Sequence, residues 1–219
     1  MTMLFNEKTR CAVCGLINEY TGIASTNAFG SMDLDTRPPE MKRSAIFAWV
    51  QRCPGCGYCA SQVSQAPSQA ADLVHSPQYT RQLSDSTFPD VANSFLCKAL
   101  IEESAADFAA ATWSLMSAAW ACDDAEKPQA ARTCRSKAAD MTVKALSNGQ
   151  KISPQEEAET AIQVDLLRRA GRIAEAQQLI AEKRPTITDD LISKVLTFQD
   201  ALLSNGDEAC HRISEALGA

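Results

Sequence analysis

The sequence predicts a mainly α-helical chain that carries a small β-containing ribbon at its N-terminal end. Three observations predict it. Alanine makes up much of the apolar content while aromatic residues are only 6% of the chain, a balance that suits closely packed helices better than sheets. Helix-opening and helix-ending residues recur from Pro89 onward. Two Cys-x-x-Cys-Gly units lie within the first 60 residues and nowhere later.

Residues 1–66 form the first unit. Cys11-Ala12-Val13-Cys14-Gly15 and Cys53-Pro54-Gly55-Cys56-Gly57 each predict a tight knuckle, with glycine after the second cysteine to accept a positive φ. Two knuckles supply four thiolates, the donor set of a tetrahedral zinc ion. Cys11, Cys14, Cys53 and Cys56 are therefore the expected ligands of one structural Zn2+. Such a site is coordinatively closed and leaves no position for a reacting water. A ribbon of this size buries too little to stand alone, so the metal substitutes for a core. Between the knuckles, Gly30–Pro39 is rich in turn formers and reads as a loop. Asp33 and Asp35 there suit turn capping, since no calcium-loop pattern continues from them. Ile46-Phe47-Ala48-Trp49-Val50 is apolar, aromatic and in part β-branched, and reads as a strand running into the second knuckle.

Residues 67–88 read as a connector with one short helix, started by the Ser76 cap and Pro77 in the first turn. Residues 89–219 read as antiparallel helix pairs. One helix runs from Pro89 to about Glu103. Trp113, Met116 and Trp120 fall on one face of the next. Pro128 opens a helix that Ser147-Asn148-Gly149 ends. Ser153-Pro154-Gln155-Glu156 reads as a capping box with proline at the first helical position. Gly171 and Gly206 mark later turns. Ala176 and Cys210, like Leu179 and Ile213, stand at the tetratricopeptide spacing, so the region is expected to be tetratricopeptide-like.

Charge narrows the function classes. The formal net charge is −6, which disfavours a duplex-binding face. The first 66 residues are near neutral, with Lys8, Arg10, Arg37, Lys42, Arg43 and Arg52 against Glu7, Glu19, Asp33, Asp35 and Glu40; the remainder is acidic. No signal-like or membrane-spanning run is visible, and the clustered cysteines suit a reducing compartment, so a cytoplasmic protein is expected. Cys97, Cys122, Cys134 and Cys210 fall in expected helices and read as small buried hydrophobes. Cys59 overlaps the second knuckle as a further Cys-x-x-Cys and reads as a spectator thiol. The two histidines, His75 and His211, are isolated. P-loop, dinucleotide, G-x-S-x-G and H-E-x-x-H patterns are missing from the sequence.

These motifs resemble a family of uncharacterised bacterial proteins that join an N-terminal zinc ribbon to a C-terminal tetratricopeptide-like region. The resemblance rests on Cys11-x-x-Cys14-Gly15, on Ala48-Trp49-Val50 leading into Cys53–Tyr58, on Ser25–Gly30 through Arg37-Pro38, and on the helical remainder. Ala12 stands where the common knuckle has proline. The resemblance implies zinc on the four cysteines and no activity. The expected function is a non-enzymatic adaptor, with Asp33–Pro39 as a presented loop and helix pairs forming a groove for a protein or peptide partner. A nucleic-acid regulator using Arg37, Lys42, Arg43 and Arg52, and a thiol or zinc sensor using Cys59, are the alternatives.

Overall fold

The structure, a computed structural model, describes residues 1–218. Ala219, the last residue of the expected helical region, lies outside the described residues.

The chain begins with an antiparallel hairpin of β1 (Met3–Arg10) and β2 (Ile17–Ser25), whose connecting turn is the first knuckle. The register pairs Glu7 with Tyr20 and Phe5 with Gly22. The Phe5 ring lies over Gly22 so closely that a Cβ there would stand 2.6 Å from it. An aromatic side chain thus covers the backbone of a residue that has no side chain of its own. The second knuckle sits between two very short strands, β3 (Gln51–Arg52) and β4 (Cys59–Ala60), which pair with each other.

The expected strand Ile46–Val50 is not a strand. Arg43–Ala48 form a 3-10 helix, and Trp49 and Val50 follow it as irregular backbone. A short unbroken apolar run has no period that separates strand from helix, and packing decides. Here Ala45, Ile46 and Val50 point into the core, Phe47 points out, and Trp49 meets Trp120 edge-on at 6.4 Å.

Two short helices follow, α1 (Ala70–Leu73) and α2 (Pro77–Leu83), and Ser76 caps α2 by accepting from the Tyr79 N–H. Ala70, Val74 and Tyr79 in this stretch are buried, so the expected connector packs into the core. Next come α3 (Asp90–Ser104), α4 (Phe108–Asp124) and α5 (Pro128–Ser147), then α6 (Glu156–Arg169), α7 (Ile173–Lys183), α8 (Asp190–Ser204) and α9 (Ile213–Ala216). Helix α4 packs between α3 and α5. Ala118 and Ala119 on α4, with Ala130, Ala131, Ala138 and Ala139 on α5, are all buried. Side chains this small let two helices approach closely, which is where the chain's alanine content goes.

Two further expectations change. The Ser153-Pro154 capping box does not form. Helix α6 starts at Glu156, and the Glu159 carboxylate instead accepts from the N–H groups of Ile152 and Ser153 at 2.7 and 3.1 Å. The repeat spacing also fails at its second copy. Ala176 is buried in α7, but Cys210 lies exposed in an extended segment ahead of the single-turn α9. That segment is used elsewhere: Asp33 and Arg212 form an antiparallel bridge, Leu34 N–H bonds His211 O at 2.9 Å, and Ile213 N–H bonds Met32 O at 2.9 Å. A helix there would forfeit these bonds. The fold is mainly helical with a small N-terminal hairpin.

The same contacts bury the loop that the sequence suggested would be presented. Asp33, Leu34, Asp35 and Arg37 are each 5% exposed or less. Arg37 N–H donates to Asp35 Oδ1, and Thr36 takes a φ of 63° to complete the turn. Asp35 Oδ2 accepts from Trp120 Nε1 at 2.9 Å and from Arg169 at 3.1 Å, and Arg135 lies 3.5 Å away. Asp123 shares both arginines, Arg37 pairs with Asp124 at 2.6 Å, and Arg43 pairs with Asp33 at 2.5 Å. Four aspartates and four arginines therefore balance within one seam between the N-terminal loop and the helices. Two members of the suggested basic patch, Arg37 and Arg43, are consumed in these pairs.

Candidate metal centre

The two knuckles are built alike. In the first, Cys11 N–H bonds Leu16 O and Gly15 N–H bonds Cys11 O, each at 2.9 Å; in the second, Cys53 N–H bonds Tyr58 O at 2.8 Å and Gly57 N–H bonds Cys53 O at 2.9 Å. Gly15 and Gly57 take φ values of 75° and 76°, a left-handed conformation that glycine adopts without a Cβ clash. Each turn aims backbone N–H groups at its first sulfur: Val13 and Cys14 at Cys11, Gly55 and Cys56 at Cys53.

The knuckles face each other. Cys11 Sγ lies 3.8 Å from Cys56 Sγ, and Cys14 Sγ lies 3.5 Å from Cys53 Sγ. All four sulfurs fall within 4.8 Å of one another. None is in a disulfide. A tetrahedral ion with metal–sulfur distances of about 2.3 Å requires sulfurs about 3.8 Å apart. The two close pairs stand near that distance and no pair exceeds 4.8 Å, so the four cysteines can hold a metal ion. Cys11 and Cys53 are buried, Cys56 is half-buried and Cys14 is exposed, placing the site at the surface with its inner half covered.

The electrostatics separate the sulfurs. Burial pushes the Cys53 thiol up, but the N–H groups of Cys56 and Gly55 and the neighbouring thiols outweigh it and bring Cys53 down to about 7. Burial dominates at Cys11 and Cys56 and raises both. A cation would reverse that rise, because it stabilises each thiolate directly.

Residues outside the motif hold the two halves in place. Ala12 N–H donates to Val63 O at 2.8 Å, and Val63 N–H donates to Gln51 Oε1 at 2.9 Å. A proline at position 12 has no N–H to give, which accounts for the alanine in the first knuckle. Buried Tyr79 receives the Cys59 N–H and donates to Gly57 O, both at 3.0 Å, tying α2 to the second knuckle. Tyr20 on β2 places its hydroxyl beside Cys53 and Cys11, where burial and the sulfurs together raise its pKa. That hydroxyl is buried without an aligned acceptor among the protein atoms. A Cys53 thiolate beside it supplies one, so the surroundings as well as the ligands fit a bound cation.

Cys59 stands apart from the cluster. Its sulfur donates to Gly57 O at 3.3 Å and faces Cys97 on α3, with both residues fully buried. Cys122 and Cys134 are buried within α4 and α5 as expected. All four ligands predicted from sequence come together; Tyr20, Val63 and Tyr79 were not foreseen, because no motif marks them. Among the described residues no helix is long and apolar enough to cross a membrane. Comparison with protein-family models, with curated proteins and with solved structures returns no match.

Proposed function

We propose that this chain is a non-enzymatic adaptor organised by one structural zinc ion on Cys11, Cys14, Cys53 and Cys56. The observation that carries the zinc reading is the closed four-sulfur geometry. Four cysteine sulfurs close to tetrahedral spacing, with N–H groups directed at Cys11 and Cys53, suit a borderline-soft cation that has no competing geometric preference of its own. With every position filled by sulfur, the ion's role is to hold the two knuckles, and through them the hairpin, in one arrangement.

With the Asp33–Pro39 loop largely buried, the hairpin side of the molecule offers the surface for a partner. Met3 and Leu4 on β1, with Met41 and Phe47 nearby, are each more than 40% exposed. Leu4, Met41 and Phe47 line a shallow cavity of about 400 Å³ together with Thr2, Glu40, Ser44 and Ala45. Clustered exposed apolar side chains of this kind favour contact with another protein. Crosslinking pull-down from native lysate is the test, run with the wild-type chain and a Leu4→Asp, Phe47→Asp variant. Recovery of the same partner by the wild type and its loss with the variant is the expected result. Repeated recovery of no partner, or of the same proteins by both, removes the adaptor reading.

A further inference from the structure

His211 sits on the extended segment that sews the C-terminal end onto the buried N-terminal loop. Its ring nitrogens both meet carboxylates: Nε2 lies 3.0 Å from Asp207 Oδ2 and Nδ1 lies 2.8 Å from Glu215 Oε2. A neutral imidazole has only one N–H, so it can donate to one of these oxygens and must point a lone pair at the other. Only the imidazolium satisfies both. The backbone of the same residue accepts from Leu34 N–H, and its neighbour Arg212 bridges Asp33.

We propose that His211 is a proton-operated latch: protonated, it clasps Asp207 and Glu215 and holds residues 207–215 against Met32–Leu34; deprotonated, it releases one carboxylate and the segment loosens from the loop.

The surroundings of the ring agree. Phe198 of α8 packs edge-on at 5.6 Å and shields one side. From α6, Arg168 donates to the carbonyls of Asp207 and Ala209 at 2.6 and 2.8 Å, and its guanidinium is 3.9 Å from Asp207 Oδ1. From α5, Arg132 pairs with Glu208. From the N-terminal side, Asp33 is engaged by Arg43 and Ser31 Oγ accepts from Ser214 N–H. On α9, Glu215 also accepts from Arg212 N–H at 2.7 Å. Thus the ring meets two carboxylates directly; Arg132 and Arg43 are engaged by other carboxylates, while the Arg168 guanidinium shares Asp207 with the ring from the other oxygen. Burial works against charge on the ring, and Glu215 and Asp207 outweigh it and hold the imidazole above its usual range. Asp207, bonded by Ala209 N–H, and Glu215, bonded by His211, are held below the usual carboxylate range.

The sign follows from those directions. A histidine raised on folding contributes stability that is fully present below about pH 6.5 and is lost as pH rises through the raised value. The clasp closes between the depressed carboxylate values and the raised imidazole value, and opens above it. What opening uncovers is the Asp33–Leu34 stretch, otherwise at most 2% exposed.

The chain has only two histidines, so imidazole NMR resolves the question on the intact protein. His211 is expected to titrate above about pH 6.5, with both ring nitrogens protonated in the low-pH form. Hydrogen-exchange protection at the Leu34 and Ile213 amides, corrected for intrinsic exchange, is expected to fall about tenfold across that titration, the weight of one charged hydrogen bond. His211→Gln should hold protection at the low level at every pH. Should that variant fail to fold, Glu215→Gln at the exposed side should lower the His211 midpoint. A His211 midpoint at or below about 6.5, or protection that is flat through its titration, overturns the latch.

Discussion

Replacing Asp35 by asparagine tests whether the ionic seam anchors the N-terminal loop to the helices. Asp35 is fully buried and serves four partners: the Arg37 N–H, Trp120 Nε1, Arg169 and, slightly farther, Arg135. Asparagine keeps the volume but removes the charge, and its NH2 group has guanidinium and indole donors in front of it. Arg135 and Arg169, 2% and 8% exposed as side chains, are then left with Asp123 as their shared carboxylate. Breaking a buried pair by removing one partner costs about 3–5 kcal/mol. With a urea dependence near 2.5 kcal/mol per molar, that is a fall of about 1.2–2 M in the midpoint. Urea unfolding followed by tryptophan fluorescence suits the measurement, because Trp120 touches the site directly. Burial raises the Asp35 carboxyl, but Arg169 and Arg135 outweigh it and hold it below its usual range. Its stabilisation is therefore present above about pH 3.9 and is lost as pH falls through the depressed folded value, so the variant should also flatten that part of the acid limb. A loss below about 1 kcal/mol would show that the seam carries little weight, against the range expected for a broken buried pair.

Further outcomes concern the knuckles. Gly57→Ala should destabilise by roughly 1–2 kcal/mol, the cost of a left-handed alanine, and in addition force the tip of the half-buried Leu83 side chain, 2.4 Å from the new Cβ, to turn aside. Gly149→Ala, at a φ of 72° with open space around it, should cost only the conformational part, and thermal unfolding of both variants measures the difference. Tyr20→Phe removes the hydroxyl beside Cys53 and should weaken metal retention about tenfold in a chelator competition while leaving helicity unchanged. Chelation of the wild-type chain should make residues 1–60 sensitive to protease and leave the circular dichroism of the helices beyond Pro89 in place.

Local chemistry carried much of this structure. The spacing of Cys11, Cys14, Cys53 and Cys56 with Gly15 and Gly57 is enough to predict two knuckles, because the turn itself demands those residues. Pro89, Pro128, Gly149 and Gly171 mark helix ends for the same reason. What stayed illegible depends on distant partners. Asp35 and Arg169 are 134 residues apart, and nothing in either neighbourhood announces the other. The buried fate of Asp33–Arg37 followed from that, since the loop's turn formers look the same whether solvent or helices surround them. Ile46–Val50 became irregular and 3-10 because tertiary burial chose the shape of an aperiodic apolar run. The spacing between Ala176 and Cys210 matched a helical repeat in letters, yet the Cys210 segment gained more by pairing with Met32–Leu34 than by forming a helix.

Native mass spectrometry of the chain purified under reducing conditions counts the metal ions that the four cysteines hold. One zinc ion per chain is the expected result, lost on Cys11→Ser or Cys53→Ser. A metal-free chain carrying a Cys53–Cys56 disulfide would contradict it.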